Sequence, residues 1–162
     1  MTKETYLKLT KPVRENKKKA RLLSLVNGVL TSFVFVLYPV FLLLLYAERH
    51  PLLPRAILIP GISFAAVSVF RAVVNVPRPY EKFNLPPALG KDAKGKSFPS
   101  RHVFSIYIIA MTVLYVYPDA GLLLGILGLV LAVIRVVGGV HEPRDVIAGA
   151  LFGIFCGLFY YL

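Results

Sequence analysis

Read for its apolar and polar positions, the chain divides into five apolar runs separated by charged stretches. The runs are Leu22–Ala47; Ala56–Phe70, broken by Arg71 and resuming as Ala72–Pro77; Val103–Pro118; Ala120–Ile134, followed by Arg135; and Val146–Leu162. Runs of this length do not match the alternating ten-residue strands of a membrane barrel, and a helix satisfies all its backbone groups internally, so each run predicts a helix. Crossing the hydrocarbon core takes about 20 helical residues. The second and fourth runs have only 15 uncharged residues each, so to cross they must carry Arg71 and Arg135 into the membrane end or its interface. Charge at that depth is costly unless it faces a protein interior or a wet cavity. The pattern predicts an all-α integral membrane bundle of about five transmembrane helices. It is read as one domain over 1–162, with a basic arm at 1–21, the bundle at 22–162 and a long polar connection at 78–97. Gly121 and Gly125, and Gly149, Gly153 and Gly157, recur every four residues, a spacing that permits close helix packing.

Composition agrees with the membrane class and narrows the partners. Of 162 residues, 57% are hydrophobic and 17% charged, with a net charge of +11. In a soluble protein such basicity would suggest nucleic acid. Here the basic residues flank apolar runs, so an anionic bilayer and lipid phosphate are the expected partners, and nucleic acid is not. Cys156, the single cysteine, has no partner for an internal disulfide or a metal site. The run from Leu22 is too long for a signal-peptide core and reads as a retained span.

Threading five spans up and down brings the second span's end, the third's start, the fourth's end and the fifth's start to one membrane face. The arm shares that face and carries eight lysines and arginines; the 78–101 connection adds six. The opposite connections hold Arg49 and Arg55. The positive-inside rule then places the basic face in the cytoplasm, in a multi-pass protein of the cell membrane. The arm itself is either an interfacial helix on anionic lipid or a solvated topological anchor.

Three clusters on that face carry candidate chemistry. Arg71 and Arg78 are seven residues apart, so on a continuous helix they share a face, and two planar guanidiniums suit phosphate oxygens. In Pro99-Ser100-Arg101-His102, Ser100 is a candidate N-cap, and the free N–H groups of a helix start suit an anion. In the stretch from Arg135 to Asp145, Gly138 and Gly139 allow a sharp turn, and Asp145 follows His141 by four residues. If the helix extends back to His141, the carboxylate reaches the imidazole, either to activate it or as a structural capping pair.

Together these motifs resemble the type-2 phosphatidic acid phosphatase superfamily, related to the vanadium haloperoxidases. Its signature runs K-x6-R-P, P-S-G-H, then S-R-x5-H-x3-D. Here the corresponding residues are Arg71-x6-Arg78-Pro79, Pro99-Ser100-Arg101-His102 and Ile134-Arg135-x5-His141-x3-Asp145. The resemblance implies that His141 attacks phosphorus and forms a phosphohistidine, that Asp145 orients and activates it, and that His102 protonates the leaving oxygen. It implies that Arg71, Arg78 and Arg135 bind the phosphoryl oxygens, with Ser100 and neighbouring N–H groups completing the cradle. It also makes 78–97 an active-site loop, and it implies no metal and no cofactor. Three positions depart from the signature: Arg71 stands for Lys, Arg101 for Gly and Ile134 for Ser. Arg101 is expected either to be strained or to act as a fourth phosphate-binding cation. The expected substrate is phosphatidate, phosphatidylglycerol phosphate or an isoprenyl pyrophosphate such as undecaprenyl pyrophosphate. The alternatives are a phosphotransferase on the same fold and a non-catalytic lipid-binding membrane protein.

Overall fold

Two capped helices open the chain. Thr2 Oγ accepts from the Thr5 N–H at 3.2 Å and starts α1 (Lys3–Arg14). Asn16 Oδ1 accepts from the Lys18 and Lys19 N–H groups at 3.0 and 3.1 Å and starts α2 (Lys17–Ala47), satisfying donors that have no partner within the helix. There follow α3 (Leu53–Val74), a short α4 (Pro79–Phe83), α5 (Arg101–Val116), α6 (Pro118–Val137) and α7 (Pro143–Gly157), which closes on a 3₁₀ turn at Leu158–Tyr160. The structure is a computed structural model describing residues 1–90 and 93–162, and every regular element among the described residues is helical.

Four helical stretches are long and apolar enough to cross a membrane: Lys17–Ala47, Leu53–Phe83, Pro118–Val137 and Pro143–Tyr160. The third expected span, α5, has 16 residues, a rise of about 24 Å against a core of about 30 Å. Its position resolves the shortfall. Half of α5 is buried, including Val103, Phe104, Ile106, Ile108, Ala110 and Val113, so it is the central helix, packed between α6 and α7 and covered by α2 and α3. The lipid-facing character is strongest on α2 and α3, where Phe35 and Val73 are each 79% exposed, and extends to Leu129 of α6 and Leu151 of α7. In water such a surface would drive aggregation; against acyl chains it is solvated.

Close packing of α7 on α5 sets up the site. A methyl group on Gly149 would lie 2.6 Å from the Ser100 carbonyl oxygen, and one on Gly153 would lie 2.7 Å from that of Phe104. Only glycine lets the two backbones approach so closely. The approach brings the Ser100 N–H to the Asp145 carbonyl at 2.7 Å, tying the first turn of α5 to the first turn of α7.

The second span ends earlier than its pattern predicts. Asn75 is left-handed at φ 42°, which stops α3 at Val74. Arg71 and Arg78 therefore do not share a continuous helix face. Arg78 returns on an extended segment as the N-cap residue of α4. The arm, expected as an interfacial helix or a solvated anchor, is a helix docked by one side. Tyr6, Thr10 and Val13 are buried while Lys3, Lys8 and Lys11 face out.

Candidate active site

Arg71 occupies the last turn of α3, where its guanidinium donates to the carbonyls of Lys96, Ser97 and Pro99. Arg78 donates through Nε to the Gly95 carbonyl at 3.1 Å and through a terminal nitrogen to the Val140 carbonyl at 3.4 Å. Arg135, in the last turn of α6, is 1% exposed; one terminal nitrogen reaches Asn27 Oδ1 at 3.3 Å, and its Nε is buried with no partner. Among the described residues, none of the three guanidiniums has a carboxylate within 4 Å; Arg78 meets Glu81 through its backbone N–H, at 2.7 Å, and Asp145 lies within electrostatic reach of Arg71. They lie within electrostatic reach of one another. Three buried cations held by neutral oxygens form a standing demand for an anion, because burial of unpaired charge is among the largest penalties in a fold.

The imidazole borders this cluster. Gly138 and Gly139, the latter at φ 73°, turn the chain out of α6, and the N–H of His141 returns to the Arg135 carbonyl at 3.2 Å. His141 lies two residues before α7 rather than within it, yet Asp145 still reaches it: Nδ1 and Oδ2 are 3.5 Å apart. Ser97 closes the gap. Its Oγ donates to Asp145 Oδ2 at 2.6 Å and lies 3.4 Å from His141 Nδ1. The Glu142 N–H adds a bond to the same oxygen at 3.0 Å, the reciprocal half of a capping box. One carboxylate oxygen thus both caps the start of α7 and lies beside the imidazole. Burial, with the charges of Arg135 and Arg78, pushes His141 down to about 4, against the opposing hydrogen bond to Asp145. The ring is thus neutral near pH 7, and Nδ1 is the nitrogen that faces Ser97 and Asp145.

Ser100 is fully buried, at the start of α5, with a hydroxyl that has no partner. It makes no side-chain cap. The two residues after it take a different course. Arg101 is exposed, its guanidinium over the Phe64 ring at 5.4 Å, and its backbone is unstrained in the first turn of α5. Arg101 and His102 line a groove of about 460 Å³ between α2, α3 and α5, walled by residues such as Val34, Tyr38, Ile57 and Ile106. The structure therefore gathers Arg71, Arg78, Arg135, His141, Asp145 and Ser100, and sets Arg101 and His102 at the adjoining groove.

Three contributors escaped the sequence reading. Ser97 carries no local signal in a lysine-rich loop. Asn27 did carry one: it is the sole amide in the first apolar run, and such a residue needs an internal partner. Tyr6 donates to the Gly139 carbonyl at 3.3 Å and meets the Phe83 ring at 5.4 Å, so the arm buttresses the turn that carries His141. Ile134 packs with Tyr80, Leu89 and Val140, in an apolar patch beside the cradle.

The family model of the PAP2 superfamily matches residues 52–162. The chain belongs to the PAP2 superfamily. Among solved structures it is similar to the crystal structure of Aquifex aeolicus LpxE, with a TM-score of 0.68 and 25% identity over 90% of this chain and 94% of that one. Among curated proteins it is 36% identical over 63 residues to the bacitracin transport permease protein BcrC of Bacillus licheniformis. That match spans 39% of this chain and 31% of the permease, about a third of the relative's length. All six gathered residues lie inside the PAP2 match, whereas α1 and α2, which supply Tyr6, Thr10 and Asn27, lie outside it.

Proposed function

We propose that the chain is an integral membrane lipid phosphatase working through a phosphohistidine on His141. The observation that carries this reading is the trio Arg71, Arg78 and Arg135: buried, close together and without carboxylate partners beside a neutral, oriented imidazole. A phosphoryl group bound there would answer the unpaired charge, and the guanidinium forks suit its three oxygens. The lone pair of His141 Nε2 forms the N–P bond while the P–O bond to the leaving group breaks. The electron pair stays on that oxygen, which takes a proton from His102. Asp145 and Ser97 hold the ring and stabilise the charge it gains, and water then attacks the phosphohistidine to release phosphate.

Substrate position follows from the same arrangement. The groove beside His102 opens between the helices with the most lipid-facing surface, so the hydrocarbon part of the substrate lies there and its phosphate reaches the cradle at the membrane boundary. The positive charge of the basic arm and the 78–101 connection supports a cytoplasmic position for this face. Phosphate release from phosphatidate, phosphatidylglycerol phosphate and isoprenyl pyrophosphates in mixed micelles tests the activity. Acid-labile, alkali-stable label on the wild type, absent from His141→Ala, tests the intermediate. If no lipid phosphate in that panel is cleaved, the reading fails.

A further inference from the structure

We infer that Arg101 is a specificity-determining residue that binds a second phosphate, set between the phosphoryl group that is cleaved and the hydrocarbon of the substrate. The inference rests on the lipid phosphatase reading above and deepens it.

The carrying observation is that Arg101 stands apart from the other cations. Arg71, Arg78 and Arg135 are buried against backbone carbonyls and an amide, while Arg101 is exposed and held over the Phe64 ring. A guanidinium on an aromatic face keeps its in-plane N–H donors free for an anion. Its place is set on both sides. Ser100, immediately before it, is tied to Asp145 behind His141, and Phe64 fixes it to the groove wall. It also lies within electrostatic reach of Arg71. A substrate with its terminal phosphoryl group at His141 and its chain in the groove must pass the first turn of α5 on the way. In a lipid monophosphate the passing group is an uncharged ester linkage. In a lipid with two phosphates it is an inner phosphate, which meets Arg101. After cleavage the lipid fragment keeps the oxygen of the broken P–O bond with its electron pair (on the inner phosphate of an isoprenyl diphosphate, on the glycerol of phosphatidylglycerol phosphate), takes the proton from His102, and leaves still bearing one phosphate.

Among the candidate substrates, two kinds carry an inner phosphate: isoprenyl diphosphates, where it is joined directly, and phosphatidylglycerol phosphate, where a glycerol intervenes. The full chain in detergent micelles is assayed on two matched pairs, farnesyl diphosphate against farnesyl monophosphate and phosphatidylglycerol phosphate against phosphatidate. The quantity read is the ratio of kcat/KM within each pair. Arg101→Ala should lower that ratio about tenfold or more in at least one pair, the scale of one hydrogen bond to a charged group. Arg101→Lys should recover part of it, and Phe64→Leu should lower it less. The pair that responds identifies the spacing of the inner phosphate. A ratio unchanged within twofold in both pairs overturns the inference, even if absolute rates fall together, because a parallel fall marks a structural role. A wild type that cleaves the monophosphate lipids but neither two-phosphate lipid also overturns it and leaves the phosphatase reading standing. A wild type inactive on all four lipids fails that underlying reading instead.

Discussion

The side of α5 turned towards α7 has no room for a methyl group at Gly149 or Gly153, whereas the side turned towards α2 and α3 leaves about 460 Å³ open. Gly61, on α3 in that groove, has nothing within 4 Å of where a Cβ would stand. The same residue type thus serves opposite ends. On the α7 side it lets two backbones lock Ser100 to Asp145, so that the residues around His141 cannot drift. On the groove side it leaves volume for a flexible chain. Dense packing transmits positional error directly to the reacting atoms, while a hydrocarbon slot tolerates it.

The largest break in this comparison is at the chemistry itself. On the proposed mechanism, His141→Ala should lower kcat about 1,000-fold or more, measured as phosphate release, because it removes the proposed nucleophile. Gly149→Val comes next. The added methyls push α5 away from α7, which should destabilise the fold by about 1–3 kcal/mol and lower kcat/KM on the order of 100-fold. Thermal unfolding in detergent and steady-state kinetics read the two effects; unchanged values of both would show that the close approach does not position the site. Gly61→Val sharpens the contrast from the other side. It should leave the unfolding temperature within about 2 °C, since surface-like substitutions usually cost under about 0.5 kcal/mol, and raise KM several-fold more for long-chain than for short-chain lipid phosphates.

A separate test lies in the pH dependence. His141 is held at about 4 in the fold against an ordinary 6.5, so the unfolded chain takes up this proton first. The contribution to stability is therefore fully present above about 6.5 and is lost as pH falls towards 4. Unfolding temperatures should drop more steeply between pH 6.5 and 4.5 in the wild type than in His141→Asn. The acidic limb of kcat/KM, corrected for ionisation of the substrate phosphate, should fall well below 6.5. A limb at or above 6.5 would mean that the ring is more solvated than its burial implies.

The five helices and the motif order were legible along the chain because hydrophobic periodicity and the cost of intramembrane charge are local properties. Arg71 and Arg135 could be read as inward-facing on that ground alone. Their ligands could not. Asn75 ends α3 before Arg78, so the two arginines approach from different elements rather than along one face. Ser97 acquires its place between Asp145 and His141 only when the loop folds back, and nothing in Lys96-Ser97-Phe98 announces it.

What the amino-acid sequence determined by itself was the membrane class, the helix order and a group of candidate polar residues, each dictated by side-chain solvation and spacing within one segment. The tertiary structure alone decided how those residues divide: six drawn into a buried cradle, Arg101 and His102 sent to the groove, and Tyr6 of the arm brought beneath the His141 turn. That division depends on the rotation of each helix about its axis and on how closely two backbones meet. Both quantities arise from contacts between segments far apart in the chain.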